Sequence, residues 1–110
     1  MSLYMFKATY TSASIKAMVE NPTDRSGMIA QACETFGGNM LHFLMAFGED
    51  DAIVICELPD DVAAAAIAAQ VAASGGCSRI NTIQLLSVKD WRKACTMARD
   101  VSSGNQAPTR

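Results

Sequence analysis

At 110 residues the chain suits one domain, and half of it is hydrophobic while only 18% is charged, below the usual quarter. The net charge of −2 and the lack of any basic cluster remove the electrostatic footprint of a nucleic-acid binder. No apolar run approaches the ~20 residues of a membrane span, and the opening MSLYMFKATY lacks the order of a signal peptide; the expectation is a cytoplasmic protein with neither nucleic acid nor membrane as partner.

Residues 3–10 alternate, with Tyr4, Phe6, Ala8 and Tyr10 on one face and Leu3, Met5, Lys7 and Thr9 on the other, which predicts a first strand. Thr11 or Ser12 then caps a short helix carrying Ile15, Met18 and Val19. NPTDR restarts the helical signal, with Asn21 as cap, Pro22 at the first position and Asp24 at the third. The apolar stripe of Met28, Ile29, Ala32, Cys33 and Phe36 continues it to Gly37-Gly38. Strands are expected at 39–47 and 52–58, joined by the acidic GEDD turn as a hairpin. Asp60 or Asp61 caps an alanine-rich helix over 61–74 that ends at Gly75-Gly76. A fourth strand is read over 78–88, and Ser87 to Asp90 forms a capping box for a last helix with Trp91, Ala94, Cys95, Ala98 and Val101 on one stripe. Residues 1–101 form one domain, and the polar stretch 102–110 is expected to be disordered.

The order β-α-β-β-α-β plus a helix is the α+β, ferredoxin-like plan: a four-stranded antiparallel sheet with helices on one face and an extra C-terminal helix. The strands at 39–47 and 52–58 are apolar on both faces, with Met40, Leu44 and Ala46 alternating with Leu41, Phe43, Met45 and Phe47. A face without helices should be polar where it meets water, so this one is expected to be buried in a homodimer or higher homo-oligomer, or partly covered by the Trp91 helix.

Cys33, Cys56, Cys77 and Cys95 form no CxxC pair, and His42, the single histidine, lies far from them in sequence. Zinc-site spacing is missing, and reduced, mostly buried thiols are expected, with no metal and no cofactor. Adjacent carboxylates on a strand point to opposite faces, so Glu49, Asp50 and Asp51 converge poorly on a cation and read as a hairpin tip whose last Asp bonds backbone N–H groups. The polar residues inside apolar strands are Lys7, His42, Glu57 and Gln84. Those sharing the helix-free face would line a pocket between sheets, where Lys7 or Arg25 could hold a carboxylate of a small, largely apolar ligand. The plainer reading leaves His42 half exposed on an edge strand and pairs Lys7 with Glu57 across neighbouring strands.

The opening YMFKATYT, the NPTDR stretch, the run FGGNMLHFLMAFGEDDAIVICELPDDVAAAAIA and the strand TIQLLSV resemble the GYD domain family of small bacterial and archaeal proteins, over about residues 3–98. Gly48, Glu49 and Asp51 match the family's Gly-Glu-Tyr-Asp turn, and Asp50 stands where that turn has its tyrosine. Arg25 also matches the family pattern. The resemblance implies a ferredoxin-like fold forming a dimeric α/β barrel, and it supplies no reaction. The leading functional expectation is an oligomeric small-molecule-binding or regulatory module. Analogy with other dimeric α/β-barrel proteins gives a second, a cofactor-independent oxygenase or isomerase acting on a small apolar or aromatic molecule, with His42 or a carboxylate of shifted pKa facing the cavity. A structural or interaction subunit is the third.

Overall fold

Local capping chemistry sets most element boundaries in the computed structural model, which describes residues 1–101. The elements are β1 (Ser2–Tyr10), α1 (Ser12–Glu20), α2 (Ser26–Thr35), β2 (Asn39–Met45), β3 (Ala52–Leu58), α3 (Asp61–Ala73), β4 (Cys77–Leu85) and α4 (Val88–Asp100). Thr11 caps α1 by accepting the Ser14 N–H at 3.1 Å, Asp60 caps α3 by accepting the Ala63 N–H at 2.9 Å, and Ser87 caps α4 by accepting the Asp90 N–H at 3.0 Å. The polar segment 102–110 lies outside the described residues.

The expected restart of the helix at Asn21 is corrected. Asn21 closes α1, its N–H donating to the Ala17 carbonyl, and α2 begins only at Ser26. The N-cap position is Arg25, which makes no side-chain cap hydrogen bond, and just ahead of it Asp24 accepts the Ser26 N–H at 2.9 Å and the Ser26 hydroxyl at 2.6 Å in a local turn. The α2 C-terminus carries both hydrogen bonds of a Schellman closure, Gly38 N–H to Cys33 carbonyl at 2.8 Å and Gly37 N–H to Glu34 carbonyl at 3.0 Å, with Gly37 at φ +86°.

The strands form one antiparallel sheet in the order β2-β3-β1-β4. Tyr4 and Phe6 of β1, and Val54, Cys56 and Leu58 of β3, face the helices and join Cys33, Ala64 and Ile67 in the core. The core face of β1 and β3 is therefore the one that simple alternation gives. In β2 it is not, because a bulge between Met40 and His42 shifts the register. Met40 opposes Cys56 and Phe43 opposes Val54, so both lie on the helix side, while His42 opposes Ile55 and Leu44 opposes Ile53 on the open side. The expected grouping of Met40 with Leu44, and the strand's extension to Phe47, are corrected accordingly. β4 likewise ends at Leu85, ahead of the Ser87 cap.

The open face is apolar at its centre. Ile55, Met5 and Ile83 form one row across β3, β1 and β4, and Ile53 and Leu44 flank it. α4 does not cover this face: it has only marginal contact with the rest of the chain, and Trp91 is 62% exposed. The covering role considered for the Trp91 helix is thus not met within one chain.

Cys33 and Cys56 are free thiols with no exposed surface, adjacent where α2 meets β3. Burial, with the neighbouring Cys33 adding to it, pushes the Cys56 thiol from an ordinary 9.0 up to about 12. Burial raises Cys33 as well. The contribution of these thiols to stability is fully present below the unfolded value of about 9 and is lost as pH climbs towards the folded value, because only the unfolded chain ionises in that window. Urea midpoints should hold steady from pH 7 to 9 and then fall. Cys56→Ala should flatten that decline, and an equally steep slope in the variant would mean that other groups cause it.

Candidate functional site

A cleft of about 480 Å³ opens on the helix side of the sheet. α1 supplies Ser14 and Met18, α2 supplies Ile29 and Ala32, α3 supplies Gln70 and Val71, and the floor is made by Tyr10, Phe43 and Cys77. Its size falls within the range usual for small-molecule sites. Beneath it lies an almost wholly apolar chamber of about 70 Å³ sharing Tyr10, Ile29, Phe43, Val71 and Cys77 with the cleft and reaching in to Phe6, Val54 and Ile67.

The wall on the α1 side is held at one end. The Thr11 N–H donates to the Gly76 carbonyl at 3.0 Å, and the Ser14 hydroxyl donates to the same oxygen at 2.7 Å. Elsewhere α1 buries no residue, and Val19 is exposed. On the floor, burial raises the Tyr10 hydroxyl and the Cys77 thiol above their ordinary values. A thiol held protonated in this way is a poor nucleophile near neutral pH.

Among the candidate residues read from the sequence, Arg25 alone lines the cleft. It follows α1 in the connection to α2, and its guanidinium has no carboxylate within 4.0 Å among the described residues. Gln84 pairs with Tyr4 on the helix side of the edge strand β4 and is exposed. Lys7, His42 and Glu57 all lie on the open face, which the cleft does not reach. His42 is exposed on the edge strand β2. Lys7, His42 and Glu57 thus share the helix-free face on which a pocket between sheets was expected, separate from the cleft. The suggested Lys7–Glu57 pair is corrected by register: Ile53 opposes Lys7, and Leu3 opposes Glu57.

The acidic turn ties strands together. The Asp51 carboxylate accepts the Tyr10 N–H at 2.9 Å, its own N–H donates to the Ala8 carbonyl at 2.9 Å, and its carbonyl accepts the Ala46 N–H at 2.8 Å. One residue thus fixes the hairpin to β1 at the point where the β1–β4 register shifts. The Glu49 carbonyl accepts the Thr9 hydroxyl at 2.8 Å and the Arg79 guanidinium at 3.3 Å. Gly48 sits at the open tip, where an added Cβ would meet nothing within 4 Å. Asp50, which stands where the family turn has its tyrosine, is a paired position. Its side chain is 15% exposed and pairs with Lys7 at 3.6 Å and Arg79 at 3.4 Å. Among the described residues no group of three or more His, Cys, Asp or Glu side chains could hold a metal ion.

Sequence reasoning missed most of the cleft. Tyr10 carried one signal, a polar aromatic on the core-facing side at the end of a strand. Ile29 read only as part of a helical apolar stripe and Phe43 only as one of the apolar residues of its strand, and Val71 carried no signal of its own. Asp61 read as a capping residue, yet it accepts the Tyr4 hydroxyl at 2.6 Å and so joins α3 to the sheet.

A four-stranded antiparallel sheet in this order, with α2 and α3 on one face, defines a ferredoxin-like α+β domain. The chain belongs to the GYD domain family, whose profile matches residues 4–95. No curated protein matches the chain. Among solved structures it is similar to a mutant of MhuD, crystallised with two manganese protoporphyrin IX molecules bound per active site. That chain is 18% identical, the match covers 80% of this chain and 95% of that one, and the TM-score is 0.44. No helix among the described residues is long and apolar enough to cross a membrane.

Proposed function

We propose that this protein is a small-molecule-binding module that works as a homo-oligomer. The observation that carries the binding reading is the cleft: about 480 Å³, mostly apolar, with a few polar groups at its rim and a smaller apolar chamber below. Its floor holds a tyrosine and a raised thiol, with no acid/base pair of the kind that catalysis at neutral pH uses.

The oligomer reading rests on two unpartnered surfaces. One is the row of Ile55, Met5 and Ile83 on the open sheet face. The other is α4, whose apolar side includes Trp91, exposed in the single chain. α4 is also net basic, with Lys89, Arg92, Lys93 and Arg99 against Asp90 and Asp100, whereas residues 1–87 are net acidic. The helix of one copy therefore complements the body of another in charge as well as in polarity.

Titration of isotopically labelled protein with a panel of small aromatic and aliphatic molecules tests the binding reading. Amide signals of Ile29, Ala32 and Val71 should move together, and Ala32→Trp, which fills the cleft, should abolish the response. A panel with no member that moves these signals, or shifts confined to Ile53 and Ile55, would sink it.

A further inference from the structure

Among the described residues that line the cleft, one side chain is charged, that of Arg25. The other polar groups around it are neutral: Ser14, Gln31, Thr35, Gln70 and Ser74. Nearby acids are committed elsewhere. Asp24 spends a carboxylate oxygen on Ser26, and Asp51 spends one on the Tyr10 N–H. The guanidinium donates no hydrogen bond and makes no ion pair among the described residues. Its charge reaches the floor, where it works against burial by favouring the ionised forms of Tyr10 and Cys77. Asp51 acts on the same two groups in the opposite sense. Tyr10 and Cys77 thus feel both charges, but of the two only Arg25 lines the cleft.

We propose that the cleft takes an amphiphilic organic acid, its carboxylate on the Arg25 guanidinium and its apolar body against Ile29, Phe43 and Val71. This deepens the binding reading and rests on it. A planar guanidinium presents paired donors that match a carboxylate, and an arginine at an apolar rim gives the head group a partner without burying either charge deeply. The exposed Arg25 keeps the head at the edge and the apolar chamber below takes the body, which fixes orientation. The inner chamber of about 70 Å³ accepts only a small extension of that body, such as one or two methyl-sized groups.

The test compares 2-naphthoate with the uncharged 2-naphthamide by calorimetry, with the amide signals of Ile29 and Val71 as the positional readout. Wild-type protein should bind naphthoate at least about tenfold more tightly than the amide, the scale expected of a charge-assisted hydrogen bond. Arg25→Gln should remove that preference while leaving naphthamide affinity unchanged, and Arg25→Lys should keep part of it. Arg25 is exposed in a connecting segment, so these variants should fold. Equal affinity for the two probes, or an Arg25→Gln loss shared equally by both, overturns the charged-head assignment and leaves the cleft standing as a neutral site. Failure of both probes to bind overturns the cleft reading along with it.

Discussion

Gly38→Ala should cost about 3 kcal/mol or more of folding stability, a large share of what a domain of this size has. Gly38 follows the α2 Schellman turn and enters β2 beside the end of β3. A Cβ placed there would overlap the Glu57 carbonyl oxygen and come within 2.8 Å of Leu58 Cδ2. Neither neighbour can yield: Glu57 and Leu58 are paired in the β1–β3 ladder, and Leu58 has no exposed surface. The substitution must push β2 away from β3 or open the turn, at the point where α2 meets the sheet. Urea unfolding of Gly38→Ala against Gly48→Ala checks this, since Gly48 has nothing within 4 Å of an added Cβ. Similar midpoints for the two variants would refute the close approach.

Ile55→Glu should turn the oligomer into a monomer while leaving the fold intact. Ile55 lies at the middle of the open face, in the row with His42, Met5 and Ile83, and no helix of its own chain covers it. A carboxylate there stays hydrated in a single chain but would be buried without a partner in a sheet-on-sheet dimer, a penalty of several kcal/mol per copy and doubled by symmetry. A stable dimer needs about 800 Å² from each partner. Light scattering on a sizing column should give wild type a mass at least twice 11.7 kDa and Ile55→Glu a mass near 11.7 kDa. Trp91→Glu on α4 should weaken the assembly less if the helix only supplements the sheet contact, and as much if the two surfaces form one interface. Wild-type protein already at the monomer mass would remove the oligomer reading altogether.

The same residues show why the proposed binding and the proposed assembly would use different surfaces. The sheet has two faces, and alternation assigns them different work. Tyr4, Phe6, Val54 and Cys56 meet the helices, Phe6 and Val54 lining the inner chamber, while Met5, Ile53 and Ile55 lie on the open face. The acidic turn joins the two sides. Asp51 holds the end of β1 next to Tyr10 on the cleft floor, and Asp50 draws Lys7 and Arg79 together on the open face. Lys7, a pocket candidate by sequence, is therefore already engaged.

Local rules in the sequence determined the element order, the caps at Thr11, Asp60 and Ser87, the glycine closures and the two faces of β1 and β3. Each depends on residues within a few positions of one another, or on the two-residue period of an unbroken strand. Tertiary structure decided whatever depended on pairing between distant segments. The β2 bulge moved Phe43 onto the core side and His42 and Leu44 onto the open side, because register with β3 overrides alternation once one strand holds an extra residue. Asp50 found Lys7 and Arg79 only after β1 and β4 had come together. The cleft formed where α1, α2 and α3 fail to close over Tyr10 and Cys77, a matter of how helices sit across a sheet. No spacing along the chain encodes that gap, so Arg25 could be read as a candidate partner for a carboxylate but not placed in this cleft.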